Sequence, residues 1–264
     1  MVGEMLVAAA VFGPMLAAAA GHTVGRKYAL ARDVIMFAAC LLTLIASLTL
    51  AIAYPDAKMR VSGFGSLQLD FKLDGFRALF GCVAGFLWLV TTLFSPRYFA
   101  RSQNVNRYWL FNMLTLGAVM GLFFSADFVT AFVFFEMLSL TSYPMVAHDG
   151  SPAALRAAET YLAVAVLGGL SILMGMILLH RRVGTVEFSA LYEICASMPD
   201  KSGLYLPGAL LIVGLRKSRI ISAAYLASQS PSGGACARER AAVRHPHQNR
   251  GFWGGSGEQQ CFSI

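Results

Sequence analysis

Six apolar runs, each close to the length of a bilayer-spanning helix, constrain this chain more than any other feature of its sequence. They occupy residues 2–20, 34–54, 76–94, 108–124, 128–147 and 161–179, and several have no interior charge. Crossing the hydrocarbon by helix takes about 20 apolar residues. Lipid offers backbone groups no hydrogen-bonding partner, so runs of this kind close their bonds internally, as helices. The expectation is an all-α, polytopic transmembrane bundle with six full spans in a multi-pass inner membrane protein. With 57% hydrophobic and 13% charged residues, the chain carries more apolar surface than one soluble core needs. A seventh span begins at Leu204 and breaks off where Arg216, Lys217 and Arg219 follow Gly214.

The first run resembles a signal peptide in length and in its alanine-rich end. Its amino end carries Glu4 in place of a basic cluster, and Arg26, Lys27 and Arg32 follow it, so a retained helix is expected. Basic residues cluster after the first run and, as Arg97, Arg101 and Arg107, after the third. These loops are expected on the cytoplasmic side, which places the amino terminus outside. In the second loop Leu67, Leu69, Phe71 and Leu73 alternate with polar residues, a period-two pattern that predicts a short external β-hairpin. The five cysteines, 40, 82, 195, 236 and 261, show no spacing of a metal site, and no metal is expected.

One charge falls inside a span. Glu136 lies in the fifth run, about 12 Å from its start at 1.5 Å per residue, and so near mid-membrane. An ionisable group at that depth is costly unless it is paired, hydrated or protonated, and such groups mark ion or proton paths. Ser139 and Tyr143 extend the same helical stripe. A protonated structural glutamate bonded to a neighbouring helix would look the same at this level. Arg156 and Glu159, at i and i+3 before the sixth span, suit either an interfacial ion pair or the entrance of a relay. His148 beside Asp149 admits a proton shuttle or a solvated loop. Gly168, Gly169 and Gly175 suggest close helix packing.

The stretch Phe134-Phe135-Glu136-Met137-Leu138-Ser139-Leu140-Thr141-Ser142-Tyr143 resembles the fifth transmembrane helix of the proton-conducting subunits of respiratory complex I, Mrp-type cation antiporters and membrane-bound hydrogenases. Asp74-Gly75-Phe76, Ala158-Glu159-Thr160-Tyr161-Leu162 and Leu210-Leu211-Ile212-Val213-Gly214 fit in order, so the resemblance covers residues 1 to about 217. It implies that Glu136 pairs with a lysine on a broken seventh helix, at the position of Lys217. It also implies a proton- or cation-translocating subunit without a redox cofactor of its own, working beside other membrane subunits of an NADH:quinone oxidoreductase-like or Mrp-like assembly. As an enzyme component it would be at most a non-redox subunit.

Residues 1–214 are expected to form the helix bundle and residues 215–264 a separate tail. The tail holds seven Lys or Arg against two Asp or Glu, five of the seven net positive charges of the chain. A basic Gly/Ser-rich segment of this kind suits anionic lipid, nucleic acid or no fixed structure. The preferred reading is an out-of-frame translation of the family's next helix, with no nucleic-acid partner and a truncated, non-functional remnant as product. Two other classes compete: a non-transporting structural or assembly protein, and a membrane-embedded enzyme. The loops hold no HxxxxD, GxSxG or paired Asp motif for the latter.

Overall fold

The computed structural model describes residues 2–62, 68–99, 104–148, 150–198 and 201–229. Helices α1 (Val2–Val24), α2 (Ala29–Ala53), α3 (Gly75–Tyr98), α4 (Val105–Phe124), α5 (Phe128–Val146) and α6 (Pro152–Val183) account for the six expected spans, two of which end one residue past their helix. The chain is a multi-pass membrane protein. A hairpin of β1 (Lys58–Ser62) and β2 (Gln68–Lys72) joins α2 to α3, and α7 (Phe188–Ser197) and α8 (Ser202–Gln229) follow α6. The ten-residue α7 went unanticipated because it is too short to read as a span.

Local signals fix the helix ends. Asp74, Asp127 and Ser151 cap α3, α5 and α6 by accepting from the backbone N–H groups of Arg77, Thr130 and Ala154. Such a cap contributes about 1 kcal/mol. Pro152 occupies the first turn of α6, where its missing N–H costs nothing, and Gly184 ends it with φ of 81°.

Helix α4 is the hub. It is the least hydropathic of the six spans, yet 56% of its apolar window is buried, against 28–39% for the others. Trp109, Met113, Leu116, Met120 and Phe124 form its fully buried face. α1 packs on α2 and α4, α2 on α3, α4 on α5, α5 on α6, and α6 on α8. Close approach is built in at Gly121, where an added Cβ would collide with the ring of Phe134.

The expected hairpin forms, with Lys58 opposite Lys72 and Met59 opposite Phe71. It is docked more firmly than an external loop would be. Phe71, 2% exposed, sits 5.6 Å from Phe134 and 6.3 Å from Phe12, ring to ring. The Asp70 amide donates to Thr130 Oγ1 at 2.9 Å and its carbonyl accepts from Ala126. The period-two pattern thus reports a face buried against the bundle end. Phe71→Ala is expected to destabilise the protein by about 3–5 kcal/mol, the range for truncating a buried Phe, read as a lowered thermal midpoint in detergent.

The seventh span also departs from expectation in one respect. Its apolar part ends at Arg216, as the sequence indicates, but the helix continues to Gln229 without a break. Helical hydrogen bonding is local, and residues 216–229 contain neither Gly nor Pro to interrupt it. Residues 230–264, most of the tail, lie outside the described residues.

Candidate functional site: a carboxylate facing a glycine at mid-membrane

Glu136 stands eight residues into the 19-residue α5, near its middle, and is half-buried. Its carboxylate lies against Gly169, midway along α6. A Cβ added to Gly169 would fall 2.6 Å from Oε1 and 2.9 Å from Oε2. Absence of a side chain at 169 therefore makes the space that the carboxylate occupies. The glycine pair read from sequence as packing has a more specific consequence.

Polar groups continue from this point along α5. Ser139, 4% exposed, turns its hydroxyl to the Phe135 carbonyl at 2.9 Å. The Ser139 carbonyl accepts from the Tyr161 hydroxyl of α6 at 3.0 Å. Tyr161 is 3% exposed. Ser142 donates to Leu138, and Tyr143 packs half-buried against the cluster of Val146, Tyr161 and Ala165. The stripe Glu136, Ser139, Tyr143 is therefore present. Tyr161 completes it from the facing helix, a pairing across helices that no periodicity within one segment reveals.

On the other side of α6 runs α8, antiparallel to it. Gly203 lies by Arg182, Leu211 by Gly175, and Gly214 by the Gly168 carbonyl, 2.6 Å from an added Cβ. Ser171 donates to the Leu210 carbonyl at 3.0 Å. Adjacent glycines of one α6 turn thus face α5 and α8: Gly169 meets Glu136 and Gly168 meets Gly214. Lys217 lies on α8 three residues past Gly214, about 4.5 Å along the axis. Its side chain is outside the described residues.

The remaining candidates lie elsewhere. Arg156 and Glu159 are inside α6, in its first two turns, and both are exposed. Arg156 Nε donates to the Pro152 carbonyl at 3.1 Å, and among the described residues the two side chains form no ion pair. The helix starts earlier than the apolar run, so its own carbonyl is the nearer partner. His148 packs edge-on to Phe99, with ring centroids 5.5 Å apart, and Asp149 is outside the described residues. Cys40 is buried, 3.2 Å from Thr92 Oγ1.

Comparison with known proteins bears on residues 125–220, which match the transmembrane family model "NADH:quinone oxidoreductase/Mrp antiporter, TM". Over these residues the chain is similar to that family. The match contains Glu136, Gly169 and Lys217. A Na(+)/H(+) antiporter subunit A1 of Staphylococcus aureus is 28% identical over 149 residues, which is 56% of this chain and 18% of the relative. The match thus spans about a fifth of that relative's length. The fold is that of a chain in the Mrp complex from Dietzia sp. DQ12-45-1b, with TM-score 0.70 and 21% identity over 82% of this chain and 24% of that one. A chain of the membrane-bound sulfane sulfur reductase, an archaeal respiratory membrane complex, aligns with TM-score 0.69 and 19% identity. That alignment covers 81% of this chain and 44% of the other. These relatives sit in multisubunit membrane complexes.

Proposed function

We propose that this chain is an ion-translocating membrane subunit of an Mrp-like or complex I-like assembly, with Glu136 as the group that takes up and releases the proton or balances the cation. The observation that supports this most is the seating of the Glu136 carboxylate at mid-membrane in a space that Gly169 leaves open. An ionisable group at that depth marks an ion or proton path more often than a purely structural contact. In this reading Lys217 of α8 is the cation that works with the carboxylate. Arg156 and Glu159, exposed at the α6 entrance, concentrate ions at its mouth, and the amino terminus faces outward.

The transported ion, the partner subunits and the inner-membrane location belong to this proposal, as does out-of-frame translation of the tail, which nucleotide sequencing past codon 205 tests. Function is read by reconstituting the purified protein, alone and with any membrane subunits that co-purify with it, in proteoliposomes. Proton flux is followed by an internal pH dye and sodium flux by isotope. The assembled preparation is expected to move one of these ions down an imposed gradient. Flux no greater than empty liposomes in both preparations would favour the other two readings, a non-functional remnant or a structural, non-transporting protein.

A further inference from the structure

On the hairpin side of the bundle, remote from the middle of α5 where Glu136 sits, the ends of α3, α4 and α5 leave a groove of about 440 Å³. Phe76, Phe80, Leu122, Phe123 and Ala131 line it, and Phe188 of α7 and the Arg77–Asp74 pair stand at its polar end. Phe80 lies 4.7 Å from Phe76 and 5.5 Å from Phe123, ring to ring, and both Phe76 and Phe80 are exposed on a spanning helix. The groove lies at the ends of three spanning helices, where a bundle of this kind meets the headgroups.

Cations collect at the same level. Arg77 Nη1 donates to the Lys72 carbonyl at 3.0 Å, and its guanidinium stands 5.9 Å from the Phe188 ring centroid. Asp74, 3.5 Å from Arg77 Nε, offsets that charge in part. The hairpin alternates, so with Met59 and Phe71 buried, Lys58, Arg60, Asp70 and Lys72 share the outward face. Arg60 is matched there by Asp70 at 2.6 Å, whereas Lys58 stands directly opposite Lys72. Like charges opposed across a ladder destabilise it. Among the described residues neither ammonium has an ion-pair partner.

We propose that this groove binds one phospholipid, its phosphate held by Arg77 at the polar end with Lys72 and Lys58 of the adjoining hairpin, and the upper part of an acyl chain lying along the touching rings of Phe80 and Phe123. An anionic phosphodiester supplies the counter-charge that the lysine pair lacks, and the apolar walls below it favour a lipid over a soluble phosphate ester. The volume falls within the range of about 300–1,000 Å³ typical of ligand clefts. Bound there, the lipid joins the hairpin to α3 and to α7.

The whole protein, purified in mild detergent, is titrated with palmitoyl-oleoyl phosphatidylglycerol and examined by native mass spectrometry. One adduct is expected to survive activation that strips the rest. Replacing both lysines, Lys58→Gln with Lys72→Gln, is expected to lower its retention roughly fivefold or more, as loss of phosphate-pairing charges near a membrane surface implies. This double variant keeps every backbone bond of the hairpin; Arg77→Gln is the second variant, with circular dichroism as the folding control. A diazirine in the acyl chain is expected to label the peptides holding Phe80 and Phe123. Unchanged retention in a folded lysine double variant would overturn the proposal. So would displacement of the lipid by an equal concentration of glycerol 3-phosphate, which would mark a soluble-phosphate site.

Discussion

Replacing Glu136 by Gln in the assembled complex is expected to cut ion flux in proteoliposomes at least about tenfold, equivalent to about 1.4 kcal/mol or more in the limiting barrier. Gln keeps the volume of the side chain and its ability to hydrogen-bond, but it neither gains nor loses a proton near neutral pH. Its cost in the membrane is also lower than that of a carboxylate, so stability should hold or rise while transport falls. A structural glutamate would behave in the opposite way, with flux retained and the thermal midpoint changed. Measuring flux and unfolding on the same preparation separates the two. Glu136→Asp is expected to fall between wild type and Gln, because the shorter side chain withdraws the carboxylate from the space at Gly169.

The second large effect is expected at Gly169, a residue that never titrates. In Gly169→Ala the new Cβ would be placed 2.6 Å from Glu136 Oε1, so the carboxylate or the α5–α6 spacing must shift. Overpacking of this kind costs about 1–3 kcal/mol in a well-packed interior. If the carboxylate gives way, flux drops severalfold while the helices stay in place. If the spacing gives way, the thermal midpoint falls as well, because α6 also carries α8 through Gly168 and Gly175. The decisive comparison is a double-mutant cycle. With Glu136→Gln already present, Gly169→Ala should lower flux little further, since residues in contact are not additive. Full additivity of the two losses would show that Gly169 acts on transport independently of Glu136.

Much of this arrangement was legible in the sequence, for identifiable reasons. The spans could be read because lipid imposes one solution on long apolar runs. Glu136 stood out because a charge inside such a run is costly and therefore conspicuous. The hairpin could be read from the alternation at Leu69, Phe71 and Leu73, although its docking could not, since that depends on Phe12 and Phe134 from distant helices. Gly169 and Tyr161 were visible only as a packing residue and a motif position. Their relation to Glu136 and Ser139 exists only once α6 crosses α5 at a particular height and rotation. The spacing of Arg156 and Glu159 suited either an ion pair or a relay entrance, and helix α6 offers Arg156 the Pro152 carbonyl one turn back. In α8 the loss of hydropathy after Gly214 is real, but hydropathy governs burial and says little about whether a helix continues.

The central claim is that Glu136 exchanges protons from within the membrane, and carbodiimide labelling tests it most directly. Dicyclohexylcarbodiimide partitions into lipid and reacts with protonated carboxyl groups, so a membrane-buried acid that cycles between two states is labelled in a pH-dependent way. The purified protein in liposomes is treated across a pH series, digested and mapped by mass spectrometry. The account predicts a principal adduct on the α5 peptide at Glu136, falling as pH rises and absent in Glu136→Gln. Labelling confined to surface carboxylates such as Glu159 and Glu187, with Glu136 unmodified at every pH, would contradict it.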